Sequence, residues 1–259
     1  MSSKGWVPNY HGAWAMIIVP PFVGTILSSF HPEHLLLLVT WWIGYFAFFA
    51  TGQWLRSRRK QRYLKPVLVY GTLTLIAGLT LAIFVPGILI WIPVFAPLVA
   101  ITLWQSMQRK DRSLLNDVVT VLAAGLLTPV AFHLATLLGT LPAGRHGWEA
   151  WDWMWLATAS ITAYFIGTAF YVKTNIRERG NERFFWISVG YHAVFAIAAT
   201  VLAIMGIVPI LHALVWWAVT ARTYGVASYS ARIGRRVSVK AIGIWEVVTT
   251  LAITASLLM

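Results

Sequence analysis

The chain has 259 residues, of which 59% are hydrophobic and only 11% charged, and it carries a formal net charge of +12. An ordinary soluble domain carries roughly 25% charged residues, so the composition excludes a soluble globular protein and leaves a polytopic integral membrane protein. The absence of cysteine excludes a disulfide framework, a thiolate metal site and a cysteine nucleophile.

Residues 1–10 hold one lysine and no apolar run, so no cleavable signal peptide is expected and the first apolar stretch should persist as a helix. Nine hydrophobic segments follow in order: Ala13–Ser28, Leu35–Trp54, Pro66–Phe84, Gly87–Gln105, Val118–Leu138, Trp153–Val172, Phe185–Met205, Val208–Ala221 and Ala241–Met259. Spans of about 20 residues cross a bilayer, so the chain is expected to be an all-α transmembrane bundle of about nine spans forming a single domain over 1–259. Val85-Pro-Gly87 reads as a turn between segments three and four, because a mere kink would place the neighbouring basic loops on opposite sides of the membrane. Fifteen Trp and nine Tyr supply interfacial side chains.

Charge placement sets the topology. The loops after segments two, four, six and eight, together with Lys4, hold every basic residue but Arg145. The positive-inside rule then puts the N-terminus in the cytoplasm and the C-terminus outside. On this reading the net charge marks topology rather than nucleic acid. The run from Arg56 to Lys65, which lacks accompanying acceptors, is read as a topology determinant beside anionic headgroups.

Other polar residues ask for more. Glu246 stands six residues beyond Lys240, about 9 Å along the last span. A carboxylate there needs a partner in the bundle interior, and Arg222 or an arginine of loop six–seven is the expected one. Asn116-Asp117 opens the fifth span and reads first as a helix cap. Lys173, Arg177 and Arg179 end the sixth span in one ordered polar stretch with Gly180-Asn181 as its capping turn. Lys173 and Arg177 share a helical face and could clamp a phosphate or carboxylate. His192 and His212 lie about 13–15 Å from the basic residues by helix rise, near mid-membrane, whereas His133 lies further out. Similar depth would let the first two share an axial b-haem, a proton relay or a hydrogen bond. His11, followed by Gly12 and Trp14, sits at the inner interface. No GxxxxGK[ST], HExxH or GxSxG pattern occurs, which argues against ATP-driven transport within this chain and against zinc proteolysis.

The opening His11-Gly-Ala-Trp-Ala-Met16 with Pro20, the stretch Lys173…Ile176-Arg-Glu-Arg-Gly180, Tyr191-His192, and Lys240-Ala-Ile-Gly243 with Glu246 resemble the YwiC-like family of bacterial membrane proteins. Nine spans with notable loops after spans two and six also look like the UbiA prenyltransferase architecture, whose members hold an isoprenyl diphosphate through Mg²⁺ on aspartate-rich motifs. The matching stretches here, Gly52-Gln-Trp-Leu-Arg-Ser-Arg-Arg59 and Lys173-Thr-Asn-Ile-Arg-Glu-Arg179, contain no aspartate. Magnesium wants hard oxygen ligands, so no metal site is expected, and basic residues would meet an anionic head directly.

These readings converge on a cytoplasm-facing polar pocket for an anionic amphiphile, a membrane lipid or isoprenoid phosphate. His11, Trp14, Asn116, Asp117, Lys173, Arg177, Arg179, His212 and Arg222 are its candidate binding residues. Glu246 and His192 are the candidate bases if a UbiA-like transfer follows. The alternatives are transport of a small anion, favoured by helix-breaking Pro20-Pro21, Pro93, Pro97 and Pro129, and a b-haem or quinol subunit using His192 and His212. The sequence names no cofactor.

Overall fold

A computed structural model describes residues 5–8, 13–233 and 237–259. His11 lies outside the described residues. Ten α-helices are present among them: α1 (Ala13–Ser28), α2 (Glu33–Arg56), α3 (Leu64–Phe84), α4 (Ile92–Met107), α5 (Leu114–Gly125), α6 (Leu127–Leu137), α7 (Ala150–Ile176), α8 (Glu182–Ile204), α9 (Ile210–Arg232) and α10 (Val239–Leu258). Seven spans are long and apolar enough to cross a membrane, α5 and α6 together forming one of them. The shorter apolar α1 and the less apolar α9 complete the nine expected segments. The protein is a polytopic helical membrane protein.

The chain divides into two compact units, residues 1–143 and 144–259. In the first, backbone chemistry dictates how α1 packs. Pro21 has no N–H for the carbonyl of Ile17, its helical partner four residues back. The indole N–H of Trp41 on α2 donates to that carbonyl instead, at 2.9 Å. One turn on, Gly24 lies so close to α6 that a Cβ there would stand 2.1 Å from the Thr128 carbonyl oxygen. Thr128, fully buried, returns a hydrogen bond to the Pro20 carbonyl at 3.1 Å. The expected fifth segment bends between α5 and α6, since Pro129 offers no N–H to Gly125. Val85 ends α3, and a 3₁₀ turn over Pro86–Trp91 leads into α4, which is the turn that the charge pattern requires.

The first unit holds a half-open cavity of about 610 Å³, with Trp41, Gly44, Gly78, Trp91 and Phe95 among its walls. Its threonines point their hydroxyls away from any occupant: Thr40, Thr74, Thr102 and Thr120 each donate to a carbonyl of their own helix. The walls thus present mainly hydrocarbon.

In the second unit α7 is the long helix with the most buried side chains, and α8, α9 and α10 all pack against it. Its inward face buries Trp153, Met154, Ile161, Tyr164, Phe165 and Tyr171. The lone basic residue of the far side, Arg145, donates to the Leu258 carbonyl at the C-terminal end of α10, where a cation complements the helix dipole.

Two boundaries differ from the sequence reading in ways that matter. The fifth span begins at Leu114 rather than Val118, and Ser113 caps it by accepting the Asn116 N–H at 3.0 Å. Asn116 and Asp117 therefore sit inside the first turn, not at the cap. The eighth segment does not end at Ala221: α9 continues to Arg232, so Arg222 is an intrahelical residue and not part of a loop.

The close approach at Gly24 predicts that Gly24→Ala destabilises the first unit by at least about 2 kcal/mol, the overpacking cost when backbone must move. Gly71→Ala, where a Cβ meets nothing within 4 Å, should be neutral or stabilising. Thermal melts in mild detergent read both, and equal melts would refute the packing account.

Candidate functional site

Glu246 and Arg222 meet in the second unit. Arg222 stands ten residues before the end of α9, about 15 Å from Arg232 along the axis, and Glu246 lies about 10 Å from the start of α10. Arg222 thus stands in the middle of α9, where its apolar run over 210–221 ends, and Glu246 stands within the apolar α10. Glu246 Oε1 is 2.8 Å from Arg222 Nη2, with side-chain exposures of 12% and 11%. Of the two partners expected for the carboxylate, Arg222 or an arginine of loop six–seven, the one that meets it is Arg222.

α7 supplies the support. Tyr164, Thr168 and Tyr171 recur at i, i+4 and i+7, the spacing of one helical face. The Tyr164 and Thr168 hydroxyls donate to Glu246 Oε2 at 3.0 and 2.6 Å, and the Arg222 guanidinium lies 4.2 Å over the Tyr171 ring. Arg222 Nη1 donates to Thr249 Oγ1 at 3.1 Å. Thr250 donates to the Glu246 carbonyl at 2.6 Å, fixing the helix under the carboxylate.

The bonding is incomplete at one spot. Arg222 Nε and Nη2 and Glu246 Oε1 are enclosed, yet none makes a hydrogen bond. The 2.8 Å approach of Nη2 to Oε1 is a charge contact off the hydrogen-bond axis. Nε and Nη2 form the side-on fork of a guanidinium, the edge that matches two oxygens of a carboxylate or phosphate. The oxygen that meets it at Nη2 is the protein's own Glu246 Oε1.

The two mid-membrane histidines have different surroundings. His212 is committed: Trp216 donates its indole N–H to His212 Nε2 at 3.1 Å, and Ser160 Oγ is 2.9 Å from the same nitrogen. An indole can only donate, which assigns the proton to Nδ1, and Nδ1 donates to Ser256 Oγ at 2.8 Å. Axial ligation would break this network. His192 is fully buried, donates Nδ1–H to the Ser188 carbonyl at 2.7 Å, and makes no hydrogen bond at Nε2. That nitrogen lies against Gly167, where a Cβ would come within 2.7 Å of it.

The remaining candidates are dispersed. Lys173 is in the last turn of α7, Arg177 caps that helix, and Arg179 reaches the Ser230 carbonyl of α9 at 3.4 Å. Gly180 turns the chain at φ 85°, while Asn181 caps α8. Trp14, Asn116 and Asp117 belong to the first unit. Trp14 packs edge-on to Tyr45 and Phe46 of α2, and Asn116 closes the turn before α5 by donating to the Asp111 carbonyl at 2.8 Å. Among the described residues no three His, Asp or Glu side chains gather in metal-binding geometry.

Sequence reasoning missed Tyr164, Thr168 and Tyr171, although a polar stripe at helical spacing in an apolar span was visible. It also missed His34, buried at the start of α2, which accepts the His31 N–H and donates Nε2–H to the Ala131 carbonyl at 2.9 Å.

Fold and centre together define a polytopic helical membrane protein organised in its second unit around one buried arginine–glutamate pair. The YwiC-like protein family model matches residues 7–132. The YwiC protein of Bacillus subtilis is 32% identical over 192 residues, 73% of this chain and 74% of that protein. An uncharacterised protein of Haemophilus influenzae is 26% identical over 193 residues, 74% of this chain and 76% of that protein. The chain belongs to the YwiC-like family. No solved structure matches it.

Removing one ion of a buried pair strands the other, at a cost of about 3–5 kcal/mol. Arg222→Ala should therefore melt well below wild type. Glu246→Ala added to it should recover part of the loss by removing the stranded carboxylate. A double variant that melts no higher than Arg222→Ala would show that the pairing carries no such energy.

Proposed function

We propose that this YwiC-like protein is a bacterial inner-membrane protein that binds an anionic headgroup, that of a lipid or isoprenoid phosphate, on the side-on fork of Arg222. The observation that carries this reading is the unspent fork. Within the second unit Arg222 Nη2 is held only by its ion pair with Glu246 Oε1, and the enclosed Nε–H makes no hydrogen bond, although leaving such a group without one costs about 1–3 kcal/mol. Glu246 occupies the fork's mouth as an internal anion. Ligand binding is then an exchange in which a phosphate or carboxylate takes the place of the Glu246 carboxylate. Tyr171, stacked beneath the guanidinium, holds the fork in plane during the exchange. On the topology read from the loop charges, the basic residues at the ends of α7 and α9 draw anions to the cytoplasmic side. The centre lies deep enough that an amphiphile's head would enter with its chain still in hydrocarbon.

A small anion is the second ligand that suits the same fork, favoured by the position of Arg222 in the middle of α9 rather than at its end. Calorimetric titration of the detergent-purified protein with decyl phosphate and, separately, inorganic phosphate tests both. The expected result is binding of decyl phosphate that weakens at least tenfold in Arg222→Gln and is unchanged in Lys60→Gln, which alters an exposed loop residue. Inorganic phosphate binding equally well would favour the transport reading. Equal affinity in wild type and Arg222→Gln would make the basic residues topology signals only.

A further inference from the structure

The centre is electrically neutral as it stands, one guanidinium against one carboxylate. An anion entering the fork brings the sum to minus one in an environment of low dielectric. Two anions about 4 Å apart repel by about 4 kcal/mol at an effective dielectric of 20, and by more in a drier site. Either the ligand is expelled or one negative charge is removed.

The groups around the carboxylate leave one route for that. From α7 it is faced by the Tyr164 and Tyr171 phenols and the Thr168 hydroxyl, and from α9 by Arg222. The phenols and the guanidinium already carry their protons. On α10 the nearest other ionisable residue is Lys240, six positions away. Glu246 is therefore the one group at the contact that can accept a proton. Its two oxygens are not equivalent: Oε2 already accepts from Tyr164 and Thr168, whereas Oε1 accepts no hydrogen bond. A proton on Oε1 leaves the α7 bonds intact and gives the carboxyl an O–H to donate to the incoming anion's oxygen.

We infer that anion binding at Arg222 is proton-linked, with Glu246 taking up one proton on Oε1 for each anion bound; this rests on the anion-binding reading above. One O–H bond forms on Oε1 from a proton of the medium, the anion replaces the carboxylate on the fork, and the centre's charge is zero before and after. Low pH favours the bound state. Affinity falls as pH rises over the range in which binding takes up the proton. The unit's other interior bases are His212 on α9, both of whose ring nitrogens are hydrogen-bonded, and His192 on α8, whose Nε2 lies against Gly167 without a hydrogen bond, so the His192 variant belongs in the test.

The probe is decane-1-sulfonate below its micellar concentration, which carries no titratable group, so any proton taken up is the protein's. Calorimetry on the full-length protein over a series of pH values, in buffers of different ionisation enthalpy at each, counts protons per anion. Wild type should take up close to one proton where affinity is steepest in pH, falling there by about tenfold per pH unit. Glu246→Gln, which keeps an acceptor oxygen for Tyr164 and Thr168, should bind with no uptake and no slope, while His192→Gln should behave as wild type. Binding by wild type without uptake overturns the proton linkage and leaves the anion reading standing, as does uptake that survives in Glu246→Gln or vanishes in His192→Gln. Absence of sulfonate binding by wild type overturns both.

Discussion

A charged side chain near the centre of a membrane helix costs about 2.5–3.5 kcal/mol even on the most lenient scales, and more when isolated. Arg222 and Glu246 are tolerable only together, and their meeting constrains the second unit. α9 can run on past Arg222 to Arg232 because the guanidinium finds its counter-ion on α10. α7 must turn Tyr164, Thr168 and Tyr171 toward that pair, which makes α7 the buried helix about which α8, α9 and α10 pack. Once α7 is so oriented, Gly167 faces α8, and its missing Cβ admits the His192 ring. Ser160, one turn before Tyr164, meets His212 of α9. A rotation of α7 that lost the carboxylate would lose these contacts as well.

The first unit solves a different problem. Its constraint is the backbone, since hydrocarbon offers no partner to a carbonyl that lacks its helical donor. Proline creates such a carbonyl at Ile17, and Trp41 satisfies it from a neighbouring helix. Thr128 bonds the Pro20 carbonyl where glycine lets α1 and α6 touch, and His34 ties the start of α2 to the Ala131 carbonyl. These are bonds from side chains to backbone across helices, which fix position without placing charge in the membrane. They also use up polar groups that would otherwise face the interior, and the threonines around the cavity do the same within their own helices. The unit keeps an apolar hollow because its polar groups have been turned elsewhere.

What the sequence made legible follows the same physics. Apolar length is a local property, and α1 appears at its expected bounds while most other spans lie within a few residues of theirs. The turn at Val85-Pro-Gly87 was legible because charge on the flanking loops constrained it. The end of α9 was not, because a charge normally marks a span's end and the neutralising Glu246 lies 24 positions away in sequence. The cap of α5 was misplaced for a simpler reason: Asn116, Asp117 and Ser113 are all good capping residues, and backbone geometry chose the serine. For the site, the pairing of Glu246 with an arginine was foreseeable from cost alone. The roles of Tyr164, Thr168 and Tyr171 needed the phase of α7 about its axis, which a helix apolar nearly all round does not reveal.

Depth separates the many basic residues from the one that matters. At the end of a span a cation reaches water and headgroups and needs no protein partner, so its presence says little beyond orientation. In mid-span it needs one, and the quality of the partnership is informative. A buried ion pair kept for stability alone is at its best when every remaining proton and lone pair is hydrogen-bonded, because partial satisfaction is poorer than an apolar replacement. The Arg222–Glu246 pair stops short of that. One carboxylate oxygen is fully served and the other is not; one guanidinium nitrogen is bonded and the fork is not. The shortfall is confined to the two edges that face each other, which is where an exchangeable contact has to be weak. A pair held firmly at its back and loosely at its front can part without unfolding the helices that carry it.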